Sequence, residues 1–327
     1  MTSTTPHRQL FIKIKKPFRR TLGAAYMCVF MLVLFFKNSD ATTHWISEGL
    51  KLCANRLIPS LFPFMVVSSL MVKSGAGTAI FRVLEKPLGA LFGVGRECCA
   101  PIMLGWLCGF PVGAKCASEL YKSDKICKAE YTRVLCISST PSPAFLIGAV
   151  GKGMLDDTGL GLWLYALSIA SCVAVGVFIR LVSKSNPKFC LESPASDKRP
   201  SIAKSLTGAV IDSASGMLYV CAFVVFFSSF LGALEGALSF VHLSDTLTAL
   251  LFSFFEMTSG VSRISEMSGN VFPLCALATG WSGLSVHFQT AAICSETGAD
   301  FATYVLSHVA KSAICGSLSA VIWMILN

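Results

Sequence analysis

The sequence predicts an all-α polytopic membrane protein with about seven transmembrane helices, two re-entrant hairpins and an inverted-repeat, transporter-like core. Three observations carry this expectation. The 327 residues are 54% hydrophobic and only 14% charged, against roughly 25% charge in a soluble domain. Apolar runs recur near 21–37, 47–73, 98–120, 129–155, 159–182, 206–234, 246–267, 271–295 and 301–326. Most of them approach or exceed the ~20 residues that cross a hydrocarbon core about 30 Å thick. Third, loop charges and the order of glycine-interrupted segments favour one particular threading of those runs.

At the N-terminus, Arg8, Lys13, Lys15, Lys16, Arg19 and Arg20 precede "LGAAYMCVFMLVLFF", a pattern that resembles the basic and apolar regions of a signal peptide. The following "KNSDATTHW" offers no clear A-x-A cleavage site. Residues 1–45 are therefore expected to keep a basic cytoplasmic N-terminus and a first span.

Loop charge fixes the threading of the remaining runs. If all nine runs crossed, "YKSDKICK" (121–128) and the Lys/Arg-bearing segment 183–201 would lie outside, against the positive-inside rule. If 98–120 and 246–267 return to their own side as hairpins, Lys73, Arg82, Lys86, Arg96, Lys122, Lys125, Lys128, Lys184, Lys188, Lys198, Arg199 and Lys204 fall inside. Asp40, Glu48, Asp156, Asp157, Glu235 and Asp245 then fall outside, with Lys37 and Lys152 as the basic residues near that face. The result is seven crossings, a cytoplasmic N-terminus and an extracytoplasmic C-terminus, in the plasma membrane. The net charge of +9 thus belongs to particular loops and gives no ground for a nucleic-acid partner.

"GWLCGFPVGAK" (105–115) contains Gly109, Pro111 and Gly113. Proline breaks the helical hydrogen-bond ladder and glycine admits unusual dihedrals. Read alone, the segment fits a hairpin tip or a kinked helix; the charge map selects the hairpin. Non-helical backbone at membrane depth persists only under protein cover or beside a wet cavity.

The chain repeats this order of features. A unit over 46–183 has a long helix, the hairpin "GWLCGFPVGAK", an interrupted span "CISSTPSPAFLIGAVG" and a plain helix. A unit over 205–327 has a long helix, "FFEMTSGVSRI", "ALATGWSGLSVHFQTA" and a plain helix. The Ser/Pro-rich stretch 184–204 links them on the cytoplasmic side. Three crossings per unit invert the second relative to the first, a layout found in secondary transporters.

The interruptions supply the candidate substrate-binding residues: Gly109, Pro111, Gly113, Lys115, Ser139, Thr140 and Ser142 in the first unit, and Glu256, Thr258, Ser259, Gly260, Ser282, Gly283, Ser285, His287 and Gln289 in the second. A broken helix exposes N–H groups that suit anions and carbonyls that suit cations. The hydroxyls equally suit satisfying the broken backbone itself. Glu256 is an ionisable residue within a span, hence a candidate proton or cation coupling group, with an ion pair to Arg263 or Lys115 as the structural alternative. His287 suits a proton relay or a packing role, and Gln289 suits a planar hydrogen-bonding solute. His308 and Lys311 share a helix face by i, i+3 spacing near the middle of 301–326 and rank second. Asp212 and Arg56 read as interfacial or structural.

"GFPVGAK", "LIGAVGKGML" and "GWSGLSVHFQ" resemble the YlbJ-type sporulation integral membrane proteins of the nucleoside-recognition (Gate) superfamily, over roughly residues 45–326. The resemblance implies kinship in layout with concentrative nucleoside transporters and with the gates of ferrous iron transporters. One departure is clear: the family's Asn/Ser-Gly-Pro cluster at the first break is replaced by "SSTPSPAF", so a nucleoside substrate rests on superfamily naming alone. The iron-transporter kinship implies a third function, a metal-ion gate using Cys108, Cys116 and His287. The fourteen cysteines include no CxxC and no zinc-type Cys/His spacing.

No nucleophile triad, phosphate loop or HExxH motif is present, so an enzyme is not expected. The leading expectation is a transporter-like protein moving a small polar solute, nucleoside-like or ionic, with no cofactor and with H⁺ or Na⁺ as the coupling ion. The lipid bilayer and the solute are its partners; oligomeric state, a homo-oligomer included, is left open. A non-transporting scaffold or assembly factor in spore-envelope formation is the alternative from a different class.

Overall fold

The computed structural model describes residues 7–183, 201–241, 243–269 and 271–326. They are predominantly helical, with no strand among them. Lys184, Lys188, Lys198 and Arg199 of the predicted linker lie outside the described residues.

Helix α1 (His7–Lys37) is followed by α2 (Ser39–Leu52), which continues through a π-helical turn at Cys53–Leu57 into α3 (Ile58–Ser74). The sequence 39–74 is thus one long span, ended by Gly75 at φ 71°. Short helices α4 (Ala76–Phe81) and α5 (Glu85–Phe92) follow, where the sequence predicted only a charged loop. The chain then bends by 106° into the segment leading to α6 (Cys99–Cys108). Next come α7 (Phe110–Lys122), α8 (Lys128–Ser138), a π-helical segment Ala144–Lys152, α9 (Thr158–Val182) and α10 (Ile202–Ala237). The last five helices are α11 (Asp245–Phe255), α12 (Met257–Ser265), α13 (Val271–Trp281), α14 (Gly283–Ile293) and α15 (Phe301–Leu326).

Five stretches are long and apolar enough to cross a membrane: 39–74, α9, α10, 271–293 and α15. The apolar part of α1 is shorter, and α8 with the π-helical segment makes a further rod interrupted at 139–143. Counting the bent pair 79–92 and 96–108 as one span gives six by length and composition, where the sequence expected seven.

The two hairpins are set by close backbone contact. Gly105 and Gly113 are eight positions apart, which in a continuous helix is about 12 Å of rise. Yet a Cβ on Gly113 would lie 2.9 Å from Gly105 Cα. The chain therefore turns back at Gly109, and α6 packs on α7. In the same way a Cβ on Gly260 would collide with the backbone and hydroxyl of Ser253, so α11 and α12 fold back at Glu256. Only glycine permits these approaches, and small residues are the usual means of close helix contact in lipid.

Helix ends are capped as the sequence allows. Asp157 accepts hydrogen bonds from the Gly159 and Leu160 N–H groups at the start of α9. Ser201 and Ser244 cap α10 and α11. Around the core, α10 packs on α2 and α3, α13 on α15, and the π-helical segment on α9 through Gly151 against Gly161. Large apolar residues on the periphery, such as Phe30, Phe178, Leu181 and Leu218, stay exposed, as a lipid-facing surface requires.

Candidate functional site

Both hairpin tips and both helix breaks meet at the centre. The first tip is Gly109, at φ 89° and ψ −177°. A Cβ there would sit 3.3 Å from the Ser142 nitrogen, so the tip rests on the break of the α8 rod. The second break is Ser282 and Gly283, at φ 76° and 78°. A Cβ on Gly283 would sit 2.8 Å from the Met257 nitrogen, so this break rests on the second tip. One indole ties each hairpin to its broken rod. Trp106 Nε1 donates to the Ile137 carbonyl at 2.9 Å, and Trp281 Nε1 to the Phe254 carbonyl at 2.9 Å. Nothing in the spacing of the tryptophans announced this.

A cavity of about 60 Å³ lies between these parts. Of the predicted site residues, Gly109, Pro111, Ser142, Glu256, Thr258, Ser285 and Gln289 line it. Its remaining wall is apolar, from α3, α10 and the rods, including Leu61, Met65, Phe145 and Val224. A vestibule of about 520 Å³, bordered by Lys73, Lys115, Lys122 and Asp212, shares Met65, Pro111, Val220 and Gln289 with the cavity. At the opposite end a vestibule of about 1030 Å³ is bordered by Trp45, Glu48, Asp245, Arg263 and Glu266. It shares no lining residue with the cavity.

Glu256 is the charged group at the centre, 1% exposed. It begins α12 and accepts hydrogen bonds from the Thr258 N–H at 3.0 Å and the Ser259 N–H at 2.5 Å. Neither expected ion-pair partner reaches it. Arg263 pairs with Glu235 at 2.7 Å and lies over the Phe252 ring, and Lys115 pairs with Asp212 at 3.3 Å. The physical reason is that the free N–H groups of a helix start and its dipole already satisfy a carboxylate.

Other predicted residues sit elsewhere. Gly113 packs against Gly105 and Ser138, and Gly260 against Ser253. Lys115 borders the first vestibule, and Ser259 borders the second while bonding to Ser228 at 2.9 Å. Ser282 and Gly283 form the break without lining the cavity. His287 faces away from the cavity, edge-on to Trp281, Tyr304 and His308 at ring distances of 4.5, 5.5 and 4.9 Å. It lies on α14 between Ser285 and Gln289 in sequence, and the helical turn sends it to the other side. Cys108 bonds to Ser68, and no group of three His, Cys, Asp or Glu able to hold a metal occurs among the described residues. The set Cys108, Cys116 and His287 is therefore not assembled.

Asp212 pairs with Lys73 at 3.0 Å as well as with Lys115. Arg56 donates to the Gly153 carbonyl. The second vestibule also holds Lys51 and Arg56 beside Arg263, so that end carries more basic residues than Lys37 and Lys152.

The most unusual cluster is the pair that the sequence ranked second. Lys311 is 2% exposed and His308 0%. Lys311 Nζ donates to the Ser139 carbonyl at 2.6 Å and the Cys136 carbonyl at 3.0 Å, and lies 3.3 Å from His308 Nε2. The signal was present as a lysine and a histidine one turn apart in the middle of an apolar span. At the two breaks and their flanks, the side-chain hydroxyls of Ser138, Ser139, Thr140 and Ser285 and both ring nitrogens of His287 make no hydrogen bond.

Among known proteins, the chain is similar to the sporulation integral membrane protein YlbJ of Bacillus subtilis (strain 168). The two are 26% identical over 345 residues, covering 93% of this chain and 83% of that protein. No family model matches, and no solved structure matches. The similarity runs through both hairpins and both breaks, and it supports the YlbJ-type family.

Proposed function

We propose that the chain is a non-enzymatic secondary-transporter-like protein that moves a small polar solute or ion across the plasma membrane, in connection with sporulation. The observation that carries the proposal is the central cavity, lined at once by Gly109 and Pro111 of one hairpin, Glu256 and Thr258 of the other, Ser142 of one break and Ser285 and Gln289 near the other. Backbone breaks at membrane depth are tolerated where protein covers them or they line a wet cavity, and paired broken helices meeting at the midplane are how transporters build their sites. A vestibule at each end provides the approaches. Residues 46–183 and 205–327 act as inverted halves, with the N-terminus cytoplasmic and the C-terminus extracytoplasmic. The Lys73–Asp212–Lys115 vestibule then faces the cytoplasm and is the side to which the centre connects.

Solute binding falls to Glu256, Ser142, Thr258, Ser285 and Gln289. The connection with sporulation is carried over from the name of the Bacillus protein. Purified protein in liposomes tests the proposal with a library of labelled nucleosides, amino acids, small organic acids and monovalent and divalent cations. Flux of one class, lost in Glu256→Gln while the protein still inserts, is the expected result. No flux of any class, together with a specific copurifying partner, would replace transport with the scaffold function in spore-envelope formation.

A further inference from the structure

We infer that Lys311 is a tethered cation: its ammonium group holds the carbonyl end of half-helix α8 in place of a dissociable metal cation, and the proton it carries is the ion that binds and leaves. This deepens the proposed function and rests on its view of the breaks as the working centre.

Geometry carries the inference. The break at 139–143 leaves the last carbonyls of α8 without helical partners, and the helix dipole adds negative potential there. In a broken helix this is the natural seat of a small cation. Here the seat is filled. Lys311 Nζ lies 3.0 Å from the Cys136 carbonyl and 2.6 Å from the Ser139 carbonyl. The lysine comes from α15 and crosses to the break of the other half of the chain. Among the described residues no Asp or Glu pairs with it, although every other lysine pair at a vestibule has a carboxylate. A fully buried ammonium without a counter-anion is held by neutral groups, two carbonyls and the facing His308 nitrogen, as a bound metal cation would be.

The neighbouring groups suit a proton that leaves. His308 Nδ1 lies 3.0 Å from the Tyr304 carbonyl, which assigns the proton to Nδ1 and leaves the Nε2 lone pair facing Lys311 at 3.3 Å. Transfer moves one proton from Nζ to Nε2, leaving a neutral amine and an imidazolium. The imidazolium then gives a proton to water admitted to the break, and no other bond changes. A neutral amine holds carbonyls weakly, so loss of the proton loosens the α8 end on which the first hairpin tip rests. The titratable groups around Lys311 are Cys136 on α8, Cys172 on α9, His287 on α14, and Tyr304, His308 and Cys315 on α15. Helix α13 packs Gly280 on the Lys311 backbone and contributes Cys275 as its titratable residue. None of these is a carboxylate.

The test reads the thermal stability of the full-length detergent-purified protein in sodium, potassium, methylammonium and choline chloride at equal ionic strength, from pH 5.5 to 9.5. The parent Tm should not change when sodium replaces choline, and it should show an inflection with pH. Lys311→Ser empties the seat, and sodium or methylammonium should then raise its Tm by about 2 °C or more over choline. Lys311→Arg keeps a permanent charge and should lose the inflection. Sodium stabilisation of the parent overturns the inference without any variant. So does an unchanged inflection in Lys311→Arg, or a folded Lys311→Ser indifferent to every cation. Because the readout is stability, a protein that failed to move any solute would still answer, so loss of the transport proposal and loss of this one are separable.

Discussion

The two hairpin tips occupy equivalent places and do opposite things. At the first, Gly109 and Pro111 present bare backbone, with no side chain capping α7. At the second, Glu256 presents a carboxylate that caps α12 through Thr258 and Ser259. The two breaks divide their work in the reverse sense. The first runs over five residues, 139–143, and is served by Lys311 from the far half. The second is a left-handed step at Ser282 and Gly283, closed by Ser282 Oγ on the Thr279 carbonyl at 3.1 Å. At the matching distance from its helix start, α9 carries Ser168, buried and without a hydrogen bond, where α15 carries Lys311. A duplicated layout thus keeps its backbone geometry in both halves. The buried charged groups that serve the tips and breaks come from the second half, Glu256 in its hairpin and Lys311 in its last helix.

If geometry is shared, glycine substitutions should act alike in the two halves. Gly113→Leu and Gly260→Leu put side-chain atoms into facing backbone, where a Cβ alone already meets Ser138 and Gly105 or Ser253. Each should cost about 3 kcal/mol or more of overpacking, read as loss of the monodisperse peak in size-exclusion chromatography. A tolerated Gly113→Leu beside a lethal Gly260→Leu would mean that the first segment is a kinked rod.

If chemistry is not shared, the tips should separate. Glu256→Ala leaves two buried N–H groups without an acceptor, which should lower stability by about 1–2 kcal/mol and abolish flux. Glu256→Gln retains an acceptor and should lose flux with a smaller change in Tm. Gly109→Ala forces a side chain into φ 89°, a strain of about 1–2 kcal/mol, yet removes no functional group and should reduce flux only in part. Full flux in Glu256→Gln with none in Gly109→Ala would reverse the assignment. Smaller still, Trp106→Phe and Trp281→Phe should each cost about 1 kcal/mol through one lost carbonyl hydrogen bond, equally in both halves by chemical denaturation.

The all-α membrane fold was legible because its signals are local. Run length and glycine and proline positions act within a few residues of themselves, whereas the caps at Asp157 and Ser244 were not singled out. The hairpin turning points, Gly109 and Glu256, were legible for the same reason. What the sequence did not reveal depends on side-chain direction across the molecule. His287 sits beside a break, yet helical phase turns it toward His308 and away from the cavity. Arg263 lies seven residues beyond Glu256, but the tip directs it to Glu235 on α10. Lys311 meets its carbonyls 172 and 175 positions away, a contact no local pattern encodes. Chemistry was read from residue type near the breaks, and the fold recruited Lys311 from elsewhere.

The smallest effect separates a cap from a coupling group. Asp300 opens α15 much as Glu256 opens α12, accepting from the Thr303 hydroxyl at 2.6 Å and the Thr303 N–H at 3.2 Å. It lies in an exposed loop beyond the spans. The Thr303 hydroxyl, then its N–H, hold the Asp300 carboxyl below the usual carboxylate range. A depressed carboxylate stabilises the fold at neutral pH, and that contribution is lost as pH falls below about 4, through the folded-state value. Asp300→Ala should therefore cost only about 0.5–1 kcal/mol at pH 7. Its Tm difference from the parent should shrink on acidification, while flux stays intact. Asp157→Ala removes the cap on the Gly159 and Leu160 N–H groups and should cost a similar amount at pH 7, also with flux intact. If Glu256→Ala matched these two in size and likewise spared flux, Glu256 would be one more helix cap, and its place in the cavity wall would follow from the turn it makes.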